Sequence, residues 1–427
     1  MSTYRNQDAI RPPTMRSMTT IPMPASGLRK DATVIGLVGL AHGISHFSQL
    51  LLAPLFPWLK EAFAVSYVEL GLLMTIFFVV SCVVQTLSGF WVDRYGPRPV
   101  LFGGLALLGV AALGFASSQS YWMLAAFSVV AGTGNGVFHP VDYTVLNRKI
   151  GKTRLGHAYS VHGVTGSLGW ALAPALLVPI TVAFSWRVAL LCAAALAFTV
   201  LAVLWLRRDD LQVDPLPAAP PRGEAGPSGE GSLDFLRIPA VWMCFAFFFF
   251  YAGALSVVQT FAPSAARELH AVPAELAAMC LTVYMVCSAA GMVAGGFLAS
   301  DSARCERVVG ASFGIAACVA LAIGFVQMPA LAVPVLFGVM GFSSGMAGPS
   351  RDLIVKRSAP DNATGRVFGV VYSGLDIGQA VVPIVIGGLM DHGAYGSVWL
   401  ALALLQGVLV LTAFNVGRVR RTVLVPA

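Results

Sequence analysis

Charge is scarce in this chain: of its 427 residues only 11% are Asp, Glu, Lys or Arg, while 57% are hydrophobic. So few charges cannot cover a soluble surface, which excludes the two or three soluble domains that this length would otherwise suggest. Cysteine is sparse as well. Cys82, Cys192, Cys244, Cys280, Cys287, Cys305 and Cys318 are scattered with no CxxC pair, so neither a disulfide framework nor a CxxC-type zinc site is expected. No Walker A sequence is present, so ATP is not the expected energy source. No nucleophile with a base or complete metal-ligand set is evident, so no enzymatic activity and no cofactor are expected. The first 30 residues lack an apolar h-region and read as a polar tail without a cleavable signal peptide. No stretch alternates polar and apolar residues as a membrane β-strand would.

Long hydrophobic runs are what the chain has. Twelve recur, at about 32–55, 68–90, 99–117, 121–146, 157–183, 186–206, 238–262, 274–299, 308–327, 330–353, 367–390 and 395–416. Each is long enough to cross a hydrocarbon core of roughly 30 Å. The expected fold is therefore all-α and integral to the lipid bilayer. Its divisions are a tail 1–31, a six-helix bundle 32–208, a linker 209–236, a second six-helix bundle 237–417 and a tail 418–427. The linker contains LPAAPPRGEAGPSGEGS, a composition that suits a flexible connection.

Basic residues set the expected orientation, because Lys and Arg are retained on the cytoplasmic side. With the N-terminus inside, 24 of the 27 fall on that side, and only Lys60, Arg187 and Arg267 fall outside. Both termini are then cytoplasmic, and the net charge of +7 needs no nucleic-acid partner.

The chain also matches itself. A shift of 209 residues superimposes 132–176 on 341–385 without a gap, pairing Gly132 with Gly341, Gly136 with Gly345, Gly169 with Gly378, Pro140 with Pro349 and Pro174 with Pro383. Gly and Pro constrain the backbone, so the halves share a backbone and differ in chemistry. Six spans per half make the repeat parallel, an arrangement that places a site between the halves near the midplane.

Polar residues recur at i, i+4 and i+7 on four spans: His42, His46, Gln49; Ser81, Gln85, Ser88; Asn135, His139, Asp142; and Tyr372, Asp376, Gln379. Such spacing is one helix face, and ionisable groups on it are costly in hydrocarbon, so the four faces are expected to line a shared wet interior. Spans 3, 6, 9 and 12 are nearly apolar and are expected to face lipid. The alternative is that these groups only bond neighbouring helices.

Between spans 2 and 3 the chain reads GFWVDRYGPRP. Gly89, Asp93, Arg94, Gly96 and Arg98 resemble the signature loop of the major facilitator superfamily, with Pro97 where a basic residue is usual. The second half keeps a worn copy, GGFLASDSARCER, with Gly296, Asp301, Arg304 and Arg307. Within the superfamily, NGVFHPVDY on span 4 and HGVTGSLGWALAP on span 5 look most like the fosmidomycin-resistance branch of exporters. Glycines at the spacing of those in span 5 and in GLDIGQAVVPIVIGG on span 11 suit close approach and sliding of helices 2 and 11, or of 5 and 8. The resemblance implies a twelve-helix transporter that works by alternating access and can act as a monomer.

Asp376, about ten residues into span 11, is the first candidate for proton coupling, with His42, His46 and His139 beside it because histidine exchanges protons in the working range. Gln49, Gln85, Asn135, His162, Tyr372, Gln379 and Arg351 are candidates for the substrate cavity. Asp142 and Asp352, with the signature-loop residues and Asp301, are candidates for gating. The 209-residue offset sets Arg351 opposite Asp142, a pair able to close the cytoplasmic side; Arg351 could instead hold an anionic substrate. The HxxxH of span 1, without a carboxylate or thiol at fixed spacing, does not establish a metal site. The expected activity is proton-coupled export of a small organic compound. Import or facilitated diffusion of a metabolite is the nearest rival, and a non-transporting receptor or assembly component with this fold is a third reading.

Overall fold

A computed structural model describes residues 25–151, 154–213, 239–298, 305–351 and 364–423. All of its regular structure is helical. The first half comprises α1 (Ala25–Gln49), α2 (Phe56–Phe63), α3 (Tyr67–Tyr95), α4 (Pro97–Ser117), α5 (Tyr121–Asn135), α6 (Phe138–Lys149), α7 (Leu155–Ala183) and α8 (Trp186–Leu206). The second comprises α9 (Pro239–Thr260), α10 (Ala262–His270), α11 (Ala274–Leu298), α12 (Cys305–Phe325), α13 (Ala332–Met346), α14 (Thr364–Asp391) and α15 (Tyr395–Val423). Helix α1 begins at Ala25, seven residues before the expected bundle boundary, because LRKDA continues the helix without a breaker.

Eleven helical segments among the described residues are long and apolar enough to cross a membrane. The expected span 121–146 is absent from these eleven because a turn at Gly136 and Val137 divides it into α5 and α6. Pro140 explains the break: it has no N–H to give to the carbonyl of Gly136, four residues back. The Ser88 hydroxyl reaches that carbonyl at 3.3 Å, sharing its proton with the Gln85 carbonyl of its own helix at 3.0 Å. A backbone group freed inside a membrane must find such a partner. Span 10 breaks near the equivalent place, at Ala347 after α13.

The repeated glycines are contact points. A Cβ on Gly132 or Gly136 of the α5 region would overlap the carbonyls of Phe77 and Ser81 on α3, and one on Gly341 or Gly345 of α13 would overlap those of Tyr284 and Ser288 on α11. Gly169 of α7 lies against the carbonyl of Gly43 on α1, and Gly378 of α14 against that of Phe249 on α9. Each half therefore packs the same helix pairs backbone to backbone, which is the close approach that small residues allow in membranes. The short helices repeat too: α2 and α10 both end in an alanine with positive φ, Ala64 at 52° and Ala271 at 49°.

The halves meet tightly at the end that carries α2 and α10. The larger apolar core is continuous across them there, with Phe56 and Phe261 at 5.7 Å between ring centroids. The smaller core, around Leu37, Leu105, Phe138, Val141 and Leu204, belongs wholly to the first half. Across the interface, a Cβ on Gly71 of α3 would meet the carbonyl of Pro383 on α14 at 2.6 Å, and one on Gly387 that of Tyr67 at 2.8 Å. Asp391, the last residue of α14, accepts from the Tyr67 and Val68 amides at 2.7 and 2.9 Å and lies 3.8 Å from the Lys60 ammonium. A carboxylate there meets unpaired amides and the positive end of the α3 dipole.

Candidate functional site

The polar faces of α1, α3, α5, α6 and α7 converge inside the first half. At the centre is Asp142 of α6, wholly buried. Its Oδ2 lies 3.1 Å from His42 Nδ1 on α1 and 3.1 Å from His162 Nε2 on α7. The two imidazoles stack at 3.5 Å between centroids. His46 packs on His42 at 4.3 Å and on Trp170 at 4.2 Å, and His139 lies 5.4 Å from His42. Gly166 makes room for this cluster, since a Cβ there would meet the His46 ring at 2.8 Å and His42 Nε2 at 3.0 Å.

Beside the histidines, Asn135 ties three helices. Its Oδ1 accepts from Ser45 Oγ at 2.8 Å and Gln49 Nε2 at 3.3 Å, and its Nδ2 donates to Ser81 Oγ at 2.8 Å. Trp170 Nε1 donates to Gln49 Oε1 at 2.9 Å. These bonds fix the orientation of the buried amides, which would otherwise be left unpaired in an apolar bundle.

One side chain carries this network into the second half. Gln85 of α3 accepts from His139 Nδ1 at 2.9 Å and donates through Nε2 to Asp376 Oδ2 on α14 at 3.1 Å. The Cys82 thiol is a further hydrogen-bond neighbour of Asp376. Nearby, Gln379 Nε2 reaches Gln259 Oε1 of α9 at 3.4 Å. His42, His46, Gln49, Gln85, Asn135, His139, His162 and Asp376 are thus joined by hydrogen bonds and ring contacts, directly or through Asp142 and Trp170, while Gln379 pairs with Gln259 apart from them.

Other expected positions fall elsewhere. Arg351 lies over the rings of Tyr251 and Phe248 on α9, at 4.6 and 5.2 Å. Asp142 is engaged by the two histidines of its own half, so the anticipated Asp142–Arg351 pair is not formed in this structure. In the signature loop, Gly96 joins α3 to α4 at φ +82°, a left-handed conformation that glycine adopts without strain. Arg98 approaches Asp209 at 4.0 Å, a solvent-exposed pair, and Arg94 lies 5.3 Å over Tyr95. Gly89 has open space around it. Asp301 and Asp352, like the side chains of Asp93 and Tyr372, lie outside the described residues.

Trp170 and Ser45 belong to the site without having been singled out. Both were findable: Trp170 is eight residues after His162, with Gly166 between them on one helix face, and Ser45 is three residues after His42.

A family model described as Major Facilitator Superfamily matches residues 38–383 and 244–424. The chain is 30% identical over 200 residues to the fosmidomycin resistance protein of Escherichia coli strain K12, covering 44% of this chain and 48% of that one. It is 25% identical over 271 residues to the hexuronate transporter of Bacillus subtilis strain 168, covering 62% and 63%. The matches span about half to two thirds of these relatives' lengths. Among solved structures, a bacterial homologue of the human lysosomal transporter Spinster, in an inward-facing and occupied conformation, superimposes with a TM-score of 0.72 over 91% of this chain and 97% of that one, at 15% identity. That likeness concerns the fold.

Proposed function

Because the chain belongs to the Major Facilitator Superfamily, we propose that it is a secondary transporter exporting a small drug-like or anionic compound across a bacterial inner membrane in exchange for protons. Both termini are cytoplasmic in this reading, and the closed α2 and α10 end faces outward. The protein works as a monomer, and the site between its halves is exposed to the two sides in turn.

The observation that carries the coupling is the Asp376–Gln85–His139 link. Asp376 stands on the second half and receives its hydrogen bond from the first. An ionised Asp376 accepts the Gln85 amide as a charge-assisted bond and holds α14 against α3; a protonated one accepts it more weakly. Proton occupancy at Asp376 therefore biases how firmly the halves engage at mid-depth, which is what an exchanger requires. Gln49, Gln85, Asn135, His162, Gln379 and Arg351 remain the groups assigned to the substrate cavity, with Tyr372.

The likeness to a fosmidomycin resistance protein supports export of a phosphonate-like compound. The likeness to a hexuronate transporter supports an anionic metabolite as the second reading of the substrate. Growth of an efflux-deficient host on a panel of phosphonates, dyes and sugar acids tests the proposal. Resistance conferred by the native protein and lost in an equally expressed Asp376→Asn variant is the expected result. Sensitisation to a compound, or no effect of the native protein on any, would overturn export.

A further inference from the structure

The buried histidine cluster contains more polar nitrogen and oxygen atoms than hydrogen bonding uses. Oδ1 of Asp142, 0% exposed, has no hydrogen-bond partner among the described residues, and His46, 8% exposed, has the Gly166 backbone beside one ring nitrogen and no partner for the other. Buried polar atoms are rarely left unpaired. A proton shared between Asp142 and a histidine would not satisfy them, since it occupies one donor and one acceptor that are already in contact.

A cation coordinated by several of these side chains at once would. His42 Nδ1 and His162 Nε2 both stand 3.1 Å from Asp142 Oδ2, and the ligand atoms of these three residues lie within 4.8 Å of one another. Ligand atoms around one ion, at bonds of about 2.0–2.1 Å, are separated by roughly 3.0–3.4 Å, so the three need only small adjustments. His42, His46 and His139 form a second such group that shares His42. The sequence showed only HxxxH on α1; folding supplies the missing carboxylate from α6 and further imidazoles from α6 and α7.

We propose that His42, Asp142 and His162 bind a divalent transition-metal ion, with His46 or His139 as a fourth ligand. Imidazole with a single carboxylate suits Zn²⁺, Co²⁺ or Ni²⁺ better than Mg²⁺ or Ca²⁺, which take mostly oxygen. Every ligand belongs to the first half. The ion therefore rides with that half while Gln85 and Asp376 remain free to part, and the proposal stands whether or not transport is proton-coupled.

The test is a Co²⁺ titration of the full-length protein in detergent, carried on an affinity tag free of histidine, followed by displacement with Zn²⁺. One equivalent per chain is expected, with the visible absorption of four- or five-coordinate cobalt. Affinity should fall about tenfold or more in Asp142→Asn and His162→Gln. In His392→Gln, at an exposed helix end, it should be unchanged. Zn²⁺ should raise the melting temperature of the native protein and not of the two ligand variants. X-ray absorption of the zinc-loaded native protein adds a readout that needs no variant, and at least two imidazole scatterers are expected. No stoichiometric cobalt binding, binding indifferent to both substitutions (an adventitious ion only), or a shell of sulfur or of oxygen alone would overturn the proposal.

Discussion

Removing the Asp391 carboxylate should open the end at which the two halves are closed. Asp391 bonds two amides at the start of α3, 2.7 and 2.9 Å away, from the far end of α14, so the contact exists only while α3 and α14 lie together. Losing an N-terminal capping side chain costs about 0.5–2 kcal/mol, and the charge at the helix dipole contributes about 0.3–1 kcal/mol. Lys60, 39% exposed and 3.8 Å away, adds little after solvent screening. Asp391→Ala should therefore weaken the closed state by about 1.5–2 kcal/mol, a shift of roughly 10–30-fold in its population relative to the open one. Thr260 supplies the reporter. It is buried, and together with Pro57, Pro174 and Arg267 it lines a small cavity of about 40 Å³ at that end. A cysteine at that position should react with an impermeant maleimide added to whole cells about tenfold faster or more in the Asp391→Ala background, with the parent protein as blank. An unchanged rate in equally expressed protein would refute the latch.

Gln85→Leu removes both arms of the cross-half link at nearly constant volume. Substrate-driven proton movement in vesicles should fall by about tenfold or more while the protein still purifies as a folded species; coupling that survives would exclude Gln85 as the connector. Gly169→Val places a side chain against the Gly43 carbonyl, and overpacking of this kind costs about 1–3 kcal/mol; the measured melting temperature should drop, and Gly378→Val should do the same at the equivalent contact in the other half. Ser88→Ala unpairs the Gly136 carbonyl, at about 1–3 kcal/mol, so its melting temperature should fall by more than that of Thr86→Ala, whose hydroxyl only doubles a bond within its own helix.

The helical architecture was legible because a membrane span must satisfy its own backbone and stay apolar, and both demands are written in local composition. The repeat was legible through glycines and prolines, whose role is the backbone contact itself. The division of the fourth span was not anticipated, although Pro140 marked it, because length and hydropathy favoured one continuous run. The polar faces were legible, since i, i+4 and i+7 spacing fixes direction on a helix, and His42, Asn135, His139 and Asp142 lie together. The spacing could not predict partners. Asp142 was matched to Arg351 from repeat symmetry, but the two halves carry different side chains at equivalent positions, and His42 and His162 reach Asp142 from within its own bundle. Gln85 as the connector to Asp376 was likewise out of reach, because which of several polar groups on facing helices touch depends on the crossing of α3 and α14, which the helix period alone does not set.

Proton-driven transport in vesicles decides whether Asp376 couples the two movements. Purified protein is reconstituted into liposomes, an inward or outward pH gradient is imposed, and movement of the compound found in the growth panel is followed. The expected result is accumulation against the compound's own gradient that reverses when the pH gradient is reversed, vanishes with a protonophore and is absent in Asp376→Asn, while the variant still equilibrates the compound passively or exchanges it. Accumulation that ignores the pH gradient, or an Asp376→Asn variant that concentrates the compound as well as the native protein does, would contradict it.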